Sequence, residues 1–120
     1  MITPRKVKVC CLLLFIFVNI FYIAPCYALP MREYLFKHAL DLSSGGNFDL
    51  ALQEWNSYLD SYPSDAAALS NRGNVRLVIG DVEGSINDQN KAIMLNPSEI
   101  DPYINRGIAE EALGLWSQAK

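Results

Sequence analysis

The sequence has few of the residues that build metal sites and covalent cross-links. It has one histidine, His38, and three cysteines, Cys10, Cys11 and Cys26, all of which precede Leu29. The rest of the chain therefore has no cysteine for a disulfide or a zinc knuckle. A single histidine cannot form a metal-binding pair, and His38, the one candidate for the base of a Ser/His/Asp set, has the phase of a helix interior, where we expect a packing role. We expect no metal, no cofactor and no enzymatic activity.

Basic residues are also scarce once the N-terminus is set aside. Three of the ten Lys and Arg residues, Arg5, Lys6 and Lys8, lie at the N-terminus, whereas all thirteen Asp and Glu residues lie after Ala28. The remainder thus carries seven basic against thirteen acidic residues, a formal charge of −6. Nucleic-acid binding needs a cluster of basic groups that displaces counterions, so this charge argues against it.

The segment 1–28 resembles an export signal. A basic start is followed by sixteen mostly apolar residues, 9–24, and by Cys26 and Ala28 in a small-x-small arrangement. We predict cleavage after Ala28. The alternative is an uncleaved membrane anchor over residues 9–29, although Pro25 interrupts it and the sixteen residues before Pro25 span only about 24 Å of a hydrocarbon core of about 30 Å. Either reading places the rest of the chain outside the cytoplasm.

The remainder of the chain contains an internal repeat. The sequence Asn-Arg-Gly ends at Gly73 and again at Gly107, a 34-residue interval, and the same interval separates Gly80 from Gly114. Three copies follow from this spacing: residues 32–65, 66–99 and 100–120, the last one incomplete. A fixed period in this range is the mark of a solenoid or a related array.

Each copy reads as a pair of helices. In the second copy, Gly80 can end the first helix in the left-handed conformation, Asp81 can cap the next helix, and Pro97 ends it. In the first copy, Gly45-Gly46, Asn47 and Pro63 take the same places. In the third, Ser98 and Asp101 resemble a capping box, and we predict a helix over 100–113 with Gly114 as its end.

Small residues recur where the two helices of a pair should approach each other. Ala39, Gly73 and Gly107 follow one another at the 34-residue interval, and we expect each to form a notch in the first helix of its pair. Glycine inside a helix costs about 1 kcal/mol relative to alanine. Its recurrence in one phase therefore indicates close helix contact, with Ala51, Ser85 and Ala119 on the facing helices.

These residues resemble the tetratricopeptide repeat (TPR) family, whose 34-residue pattern has large apolar, small, aromatic and Pro residues at fixed places. The pattern is carried by Leu35, Ala39, Gly46, Phe48, Ala51, Trp55 and Pro63; by Leu69, Gly73, Gly80, Val82, Ser85, Ala92 and Pro97; and by Tyr103, Gly107, Gly114, Trp116 and Ala119. The resemblance implies an all-α fold, an α-solenoid of antiparallel helix pairs over residues 29–120. The N-terminal segment is expected to form a hydrophobic helix before it.

Several polar residues depart from the family pattern. His38, Arg72 and Arg106 replace the usual Leu before the small residue, Arg76 and Glu110 replace a large apolar residue, and Gln89 replaces an aromatic. Two interpretations stay open at this point. The substitutions loosen the second and third units, or they mark contacts with another chain.

The resemblance implies a binding scaffold whose first helices line a concave face. The residues expected on that face, and predicted to bind a protein or peptide, are Phe36, Lys37, Leu40, Ser70, Asn71, Asn74, Leu77, Ile104, Asn105 and Ile108. The family's carboxylate clamp has Lys and Asn residues on the first unit and a Lys residue on the third. Here Phe36, Leu40 and Asp101 take those places and only Asn71 matches, so we do not expect a clamp.

We therefore expect a protein–protein interaction adaptor that acts in the periplasm, the thylakoid lumen or the secreted space. It would touch a membrane only through its N-terminal segment. Its candidate roles are assembly of a membrane complex and self-association through the open C-terminal end. The alternative is an accessory repeat segment of a larger enzyme or receptor.

Overall fold

The computed structural model describes residues 31–118, with side chains described through Gly114. The predicted export signal or anchor, including its hydrophobic helix, lies outside the described residues. By its contacts the chain divides between Tyr34 and Leu35, and the packing described below belongs to the unit that starts at Leu35. None of the helices in the described range combines the length and apolar character needed to cross a membrane.

Residues 31–118 form five α-helices and no strand. Helix α1 covers residues 31–44, α2 Phe48–Ser61, α3 Ala66–Val78, α4 Val82–Leu95 and α5 Asp101–Gln118. Each helix packs on the next, and α3 also contacts α5. Helix pairs joined by turns of three residues pack antiparallel, so α1–α2 and α3–α4 are the hairpins that the repeat predicted.

The turn glycines end their helices as the sequence predicted. Gly46 and Gly80 have φ of 79° and 94°, the left-handed region that glycine enters without a Cβ clash. At Gly80, the amide of Asp81 donates to the carbonyl of Arg76 at 2.8 Å, and the Gly80 amide donates to Leu77 at 3.1 Å. This pair of bonds is a Schellman motif, which satisfies carbonyls that the helix end leaves unpaired.

The helix starts follow the predictions in part. Asp81 accepts a hydrogen bond from the Gly84 amide at 3.0 Å, which confirms it as an N-cap. Asn47 occupies the N-cap position of α2, but its side chain makes no capping bond to the described helix. The capping box predicted at Ser98 is wrong, because α5 begins at Asp101 and the Ser98 hydroxyl donates to Asn96 Oδ1 instead.

An aromatic cluster forms the core of the first hairpin. Trp55 is fully buried, and Phe36 of α1 meets it edge-on with 5.0 Å between ring centroids. Phe36 also packs edge-on against Tyr58, at 5.6 Å. The indole Nε1 of Trp55 donates to Ser43 Oγ at 2.9 Å, which satisfies the one polar atom of the buried ring.

The predicted notches close in two of the three units. Ala39 and Gly73 are buried, and a Cβ added to Gly73 would lie 2.6 Å from Gln89 Nε2 of α4. The prediction for Gly107 is wrong, because it is exposed and an added Cβ would meet none of the described atoms within 4 Å. In the described structure no second helix packs over this part of α5, and Ala119, predicted to face Gly107, lies outside the described residues.

The predicted helix end at Gly114 is also wrong. Helix α5 continues through this residue to Gln118, and among the described glycines only Gly46 and Gly80 have positive φ. Continuing α5 through Gly114 keeps the helical backbone hydrogen bonds that a left-handed turn there would break.

The polar departures of the second unit are paired inside the fold, so they neither loosen that unit nor need another chain. Asp88 of α4 is buried, and Arg72 of α3 donates to its two carboxylate oxygens at 2.8 Å each. Arg76 adds a third bond to Asp88 at 3.0 Å. An ion pair with two parallel hydrogen bonds is directional, so this cluster fixes how α4 lies on α3.

A similar connection recurs one period away. Arg72 also donates to Asn56 Oδ1 at 3.0 Å, sixteen residues earlier, and Arg106 donates to Asn90 Oδ1 at 2.8 Å over the same separation. His38 lies 3.8 Å from Glu54, sixteen residues later, which is the separation of Arg72 and Asp88. These polar residues are therefore part of the repeat: each links a first helix to a neighbouring second helix, and Arg72 links α3 to both α2 and α4.

Candidate functional site

The first helices of the second and third units enclose a cavity of about 320 Å³. It lies between α3 and α5, with the loop before α5 at one end. Small and amide side chains form most of its wall, and two carboxylates join them. The lining residues are Ala66, Ala67, Ser70, Asn71, Asn74, Asn96, Glu99, Asp101, Pro102 and Asn105.

A second cavity of about 210 Å³ adjoins the first, between α1 and α3. Its wall is more apolar and is lined by Leu40, Ser43, Ser44, Phe48, Asn71, Asn74, Val75 and Val78. Asn71 and Asn74 line both cavities. The two cavities are therefore neighbours along α1, α3 and α5, and together we call them the amide groove.

A buried hydrogen-bond network holds the floor of the amide groove. Gln89 of α4 is fully buried, and its Nε2 donates to the Ser70 carbonyl at 3.0 Å and to Asn74 Oδ1 at 3.2 Å. The Ser70 hydroxyl donates to Gln89 Oε1 at 2.9 Å, and Asn105 Nδ2 donates to Ser70 Oγ at 3.2 Å. Side chains from α3, α4 and α5 are thus fixed relative to each other, since a satisfied buried network is rigid.

The two central amides keep hydrogen-bonding groups for a ligand. Asn71 Nδ2 donates to the Ala67 carbonyl at 2.9 Å, while its Oδ1 has no partner among the described residues. Asn74 Oδ1 accepts from Gln89, while its Nδ2 has no partner in the same range. Residues three apart are neighbours on a helix surface. The groove therefore presents one acceptor and one donor side by side, the complement of a peptide backbone.

The charge of the amide groove is negative. Glu99 and Asp101 line the cavity between α3 and α5, and in the part of the chain that the structure describes no Lys or Arg lines either cavity. Asp101 occupies the place where the family's clamp has a lysine. The two carboxylates give this cavity a charge that repels a peptide carboxylate.

The structure gathers five of the ten predicted binding residues around this groove. Ser70, Asn71, Asn74 and Asn105 line the larger cavity, and Leu40 lines the smaller one with Asn71 and Asn74. The other five, Phe36, Lys37, Leu77, Ile104 and Ile108, line neither cavity. Phe36 packs against the aromatic core, and Lys37 pairs with Asp41 at 2.7 Å on the surface.

Helix phase could not predict that Asn96 and Glu99 line the larger cavity, because both residues precede α5. The only signal was their place next to Asp101, at the N-terminal end of a helix expected to line the groove. Among the described residues, no group of three or more His, Cys, Asp or Glu side chains could hold a metal ion.

No known family model matches the sequence. The FAM10 family protein At4g22670 of Arabidopsis thaliana is 32% identical over 81 residues, which are 68% of this chain. The chain spans only 18% of that relative's length.

Solved structures of TPR domains are similar to 68% to 73% of this chain. The first TPR domain of Spaghetti (RPAP3), bound to the HSP90 peptide SRMEEVD, has a TM-score of 0.66 at 24% identity, over 68% of this chain and 65% of that one. The TPR2AB domain of yeast Sti1 in complex with pHSP90 has a TM-score of 0.67 at 23% identity, over 73% and 34%. The TPR2B domain of yeast Sti1 in complex with pHsp70 scores 0.67 at 23% identity, over 73% and 70%. The chain therefore has the helical-hairpin fold of tetratricopeptide repeat domains.

Proposed function

We propose that this chain is a protein-interaction adaptor that binds an extended peptide segment of another protein in the amide groove. The observation that carries the proposal is the meeting of the two cavities at Asn71 and Asn74. Two neighbouring cavities with polar groups where they meet suit an extended chain that occupies both. An isolated small molecule would need only one of the two cavities.

The chemistry of the groove suits such a segment. Asn71 Oδ1 can accept from a backbone N–H of the peptide, and Asn74 Nδ2 can donate to a backbone carbonyl. The apolar cavity between α1 and α3, with Leu40 and Val75 in its wall, accepts an apolar side chain. Main-chain hydrogen bonds combined with side-chain pockets are a common mode of peptide recognition.

The negative lining favours a segment that carries Lys or Arg. Glu99 and Asp101 would attract a cation and repel a peptide carboxylate. The first TPR domain of RPAP3 is solved with the HSP90 peptide SRMEEVD, and the TPR2B domain of Sti1 with pHsp70. They support a peptide as the class of ligand, whereas the charges of this chain favour a sequence opposite in sign to SRMEEVD.

The experiment is a calorimetric titration of the full chain with two peptides, SRMEEVD and its charge-reversed counterpart SRMKKVK. Each charge pair at about 4 Å is worth about 1 kcal/mol in water. Two carboxylates should therefore give SRMKKVK an advantage of at least about tenfold in Kd at low salt. Tighter binding of SRMEEVD, or equal binding of both peptides, would refute the charge assignment.

Two substitutions test whether the peptide binds in the amide groove. Asn71→Ala should weaken SRMKKVK by about 2- to 12-fold, the worth of one net hydrogen bond. Asp101→Lys leaves the groove with one acid and one base, so it should abolish the preference between the two peptides. Lys91→Ala on α4, which lines neither cavity, is the control and should leave both titrations unchanged. Unchanged binding in Asn71→Ala would place the peptide elsewhere on the molecule.

We also propose that the adaptor works outside the cytoplasm, where it helps to assemble a membrane complex. The support is the N-terminal sequence alone: the basic start, the apolar stretch and the exit at Ala28. Mass spectrometry of the protein isolated from its native compartment tests this. A mature N-terminus at Leu29 is the expected result, and an intact Met1 in a soluble cytoplasmic fraction would overturn it.

A further inference from the structure

One stripe of α5 repeats the side of α3 that α4 covers, yet it has no cover in the described structure. In α3, Leu69 is 4% exposed and Gly73 lies against Gln89. One period later, Tyr103 is 41% exposed, and Gly107 faces open space among the described atoms. This uncovered stripe consists of Tyr103, Arg106, Gly107, Glu110 and Leu113.

Among the described residues, no carboxylate lies within hydrogen-bond distance of Arg106, the arginine of the uncovered stripe. In the second unit, Arg72 donates to Asp88 of the covering helix with two bonds of 2.8 Å. In the described range its equivalent Arg106 reaches a carboxylate only at 3.7 Å, on Glu110 of its own helix, and its side chain is 33% exposed against 14% for Arg72. A covering helix should therefore bring an acid to Arg106.

The stripe is complementary to itself. Arg106 and Glu110 carry opposite charges, and Ile108 lies midway between them in the sequence, two residues from each. Tyr103 and Leu113, both exposed and largely apolar side chains, have the same midpoint. If a second α5 packs antiparallel about a two-fold axis at the level of Ile108, one alignment satisfies both pairs.

We propose that a second copy of this chain covers the stripe, and that α5 packs antiparallel against α5 of that copy. Arg106 then pairs with Glu110 of the partner subunit, and Tyr103 packs on the partner's Leu113. Each contact occurs twice, as the symmetry of an isologous dimer requires. Gly107 lies near the axis, where the missing side chain lets the two helices approach to about 8–10 Å.

The test is sedimentation equilibrium of the full chain and of charge-reversal variants. Wild type should move from monomer to dimer as its concentration rises. Arg106→Glu and Glu110→Arg should each raise the dimer Kd by at least about tenfold, because each replaces two attractive pairs by two repulsive ones. An equimolar mixture of the two variants should dimerise again, since one chain then presents two acids at these positions and the other presents two bases.

Asp60→Arg, an exposed position on α2 with the same charge change as Glu110→Arg, is the matched control and should dimerise like wild type. Circular dichroism of each variant reports whether its helices have formed. A wild type that stays monomeric up to about 1 mM, the weakest association of interest, would overturn the proposal. So would a dimer that both charge reversals leave unchanged, because that interface would lie outside the stripe.

Discussion

Two glycines at equivalent places in the repeat should respond in opposite ways to the same substitution. Gly73 and Gly107 are one repeat apart, and both lie inside helices. Replacing either by alanine removes the entropic cost of glycine and gains about 1 kcal/mol of helix propensity. The two sites differ only in what the added methyl group meets.

At Gly73 the methyl group has no room. Its Cβ would lie 2.6 Å from Gln89 Nε2 and 3.3 Å from Asp88 Cβ. Gln89 cannot move aside freely, because its amide bonds to Ser70 and Asn74 inside the core. Overpacking of this kind costs about 1–3 kcal/mol. At Gly107 the methyl group meets none of the described atoms within 4 Å, so we expect no such cost.

Both substitutions gain the same helix propensity, so this gain does not contribute to the difference in unfolding free energy between the two variants. Gly107→Ala should therefore be more stable than Gly73→Ala by about 1–3 kcal/mol. Urea unfolding followed by circular dichroism measures this difference, at a concentration low enough to keep the chain monomeric. In a domain of this size each kcal/mol corresponds to about 4–8 °C in Tm. Equal stability of the two variants, or a more stable Gly73→Ala, would refute the packing of α3 against α4.

Three further substitutions test other parts of the fold by the same unfolding assay. Asp88→Ala removes the buried partner of Arg72 and Arg76 and should destabilise by about 3 kcal/mol, the lower end for a buried pair because both guanidinium groups keep some solvent access. Its control is Asp41→Ala, which breaks an exposed pair and should cost only a small fraction of that; similar losses in the two would contradict the cluster's role. Ser43→Ala leaves the indole N–H of buried Trp55 unpaired and should cost about 1–3 kcal/mol; no loss would mean that this bond does not form. Gly46→Ala should cost about 1 kcal/mol because φ is positive there, and Gly46→Asn should cost less; a neutral alanine would argue against the left-handed turn.

The helical hairpins could be predicted from the sequence because their signals are local. Gly80 and Asp81 stand next to each other, and each has a backbone reason for its place: a left-handed stop and a side-chain cap. The 34-residue interval then extended the assignment to the other copies. The same reasoning failed at Gly114, because a glycine inside a helix gives the same local signal as a glycine that ends one.

The buried polar pairs could not be assigned from single positions. Arg72 and Arg76 stood out as exceptions to the apolar pattern, but their partner Asp88 lies sixteen and twelve residues away, on another helix. A search for polar residues that recur sixteen apart, such as His38 with Glu54 and Arg72 with Asp88, could have found the connection. The sequence shows the repeat of residues, whereas the structure shows which of them touch.

The residues that line the two cavities were predicted in part, whereas their role in binding stays a prediction. Helix phase brought Asn71, Asn74 and Asn105 to one side of the molecule, and the structure places all three on one cavity. Helix phase alone predicted the same surface for Phe36. In the structure its ring packs in the core against Trp55 and Tyr58. Whether an apolar residue serves the core or a ligand depends on neighbours that come from another helix.

The most direct test of peptide binding in the amide groove is an NMR titration of the isotope-labelled chain with SRMKKVK. Binding there predicts that the side-chain amide signals of Asn71, Asn74 and Asn105 shift together as peptide is added. The backbone signals of α2 should remain in place. Shifts confined to α2 and α4, with the three asparagine amides unmoved, would contradict the proposed binding site.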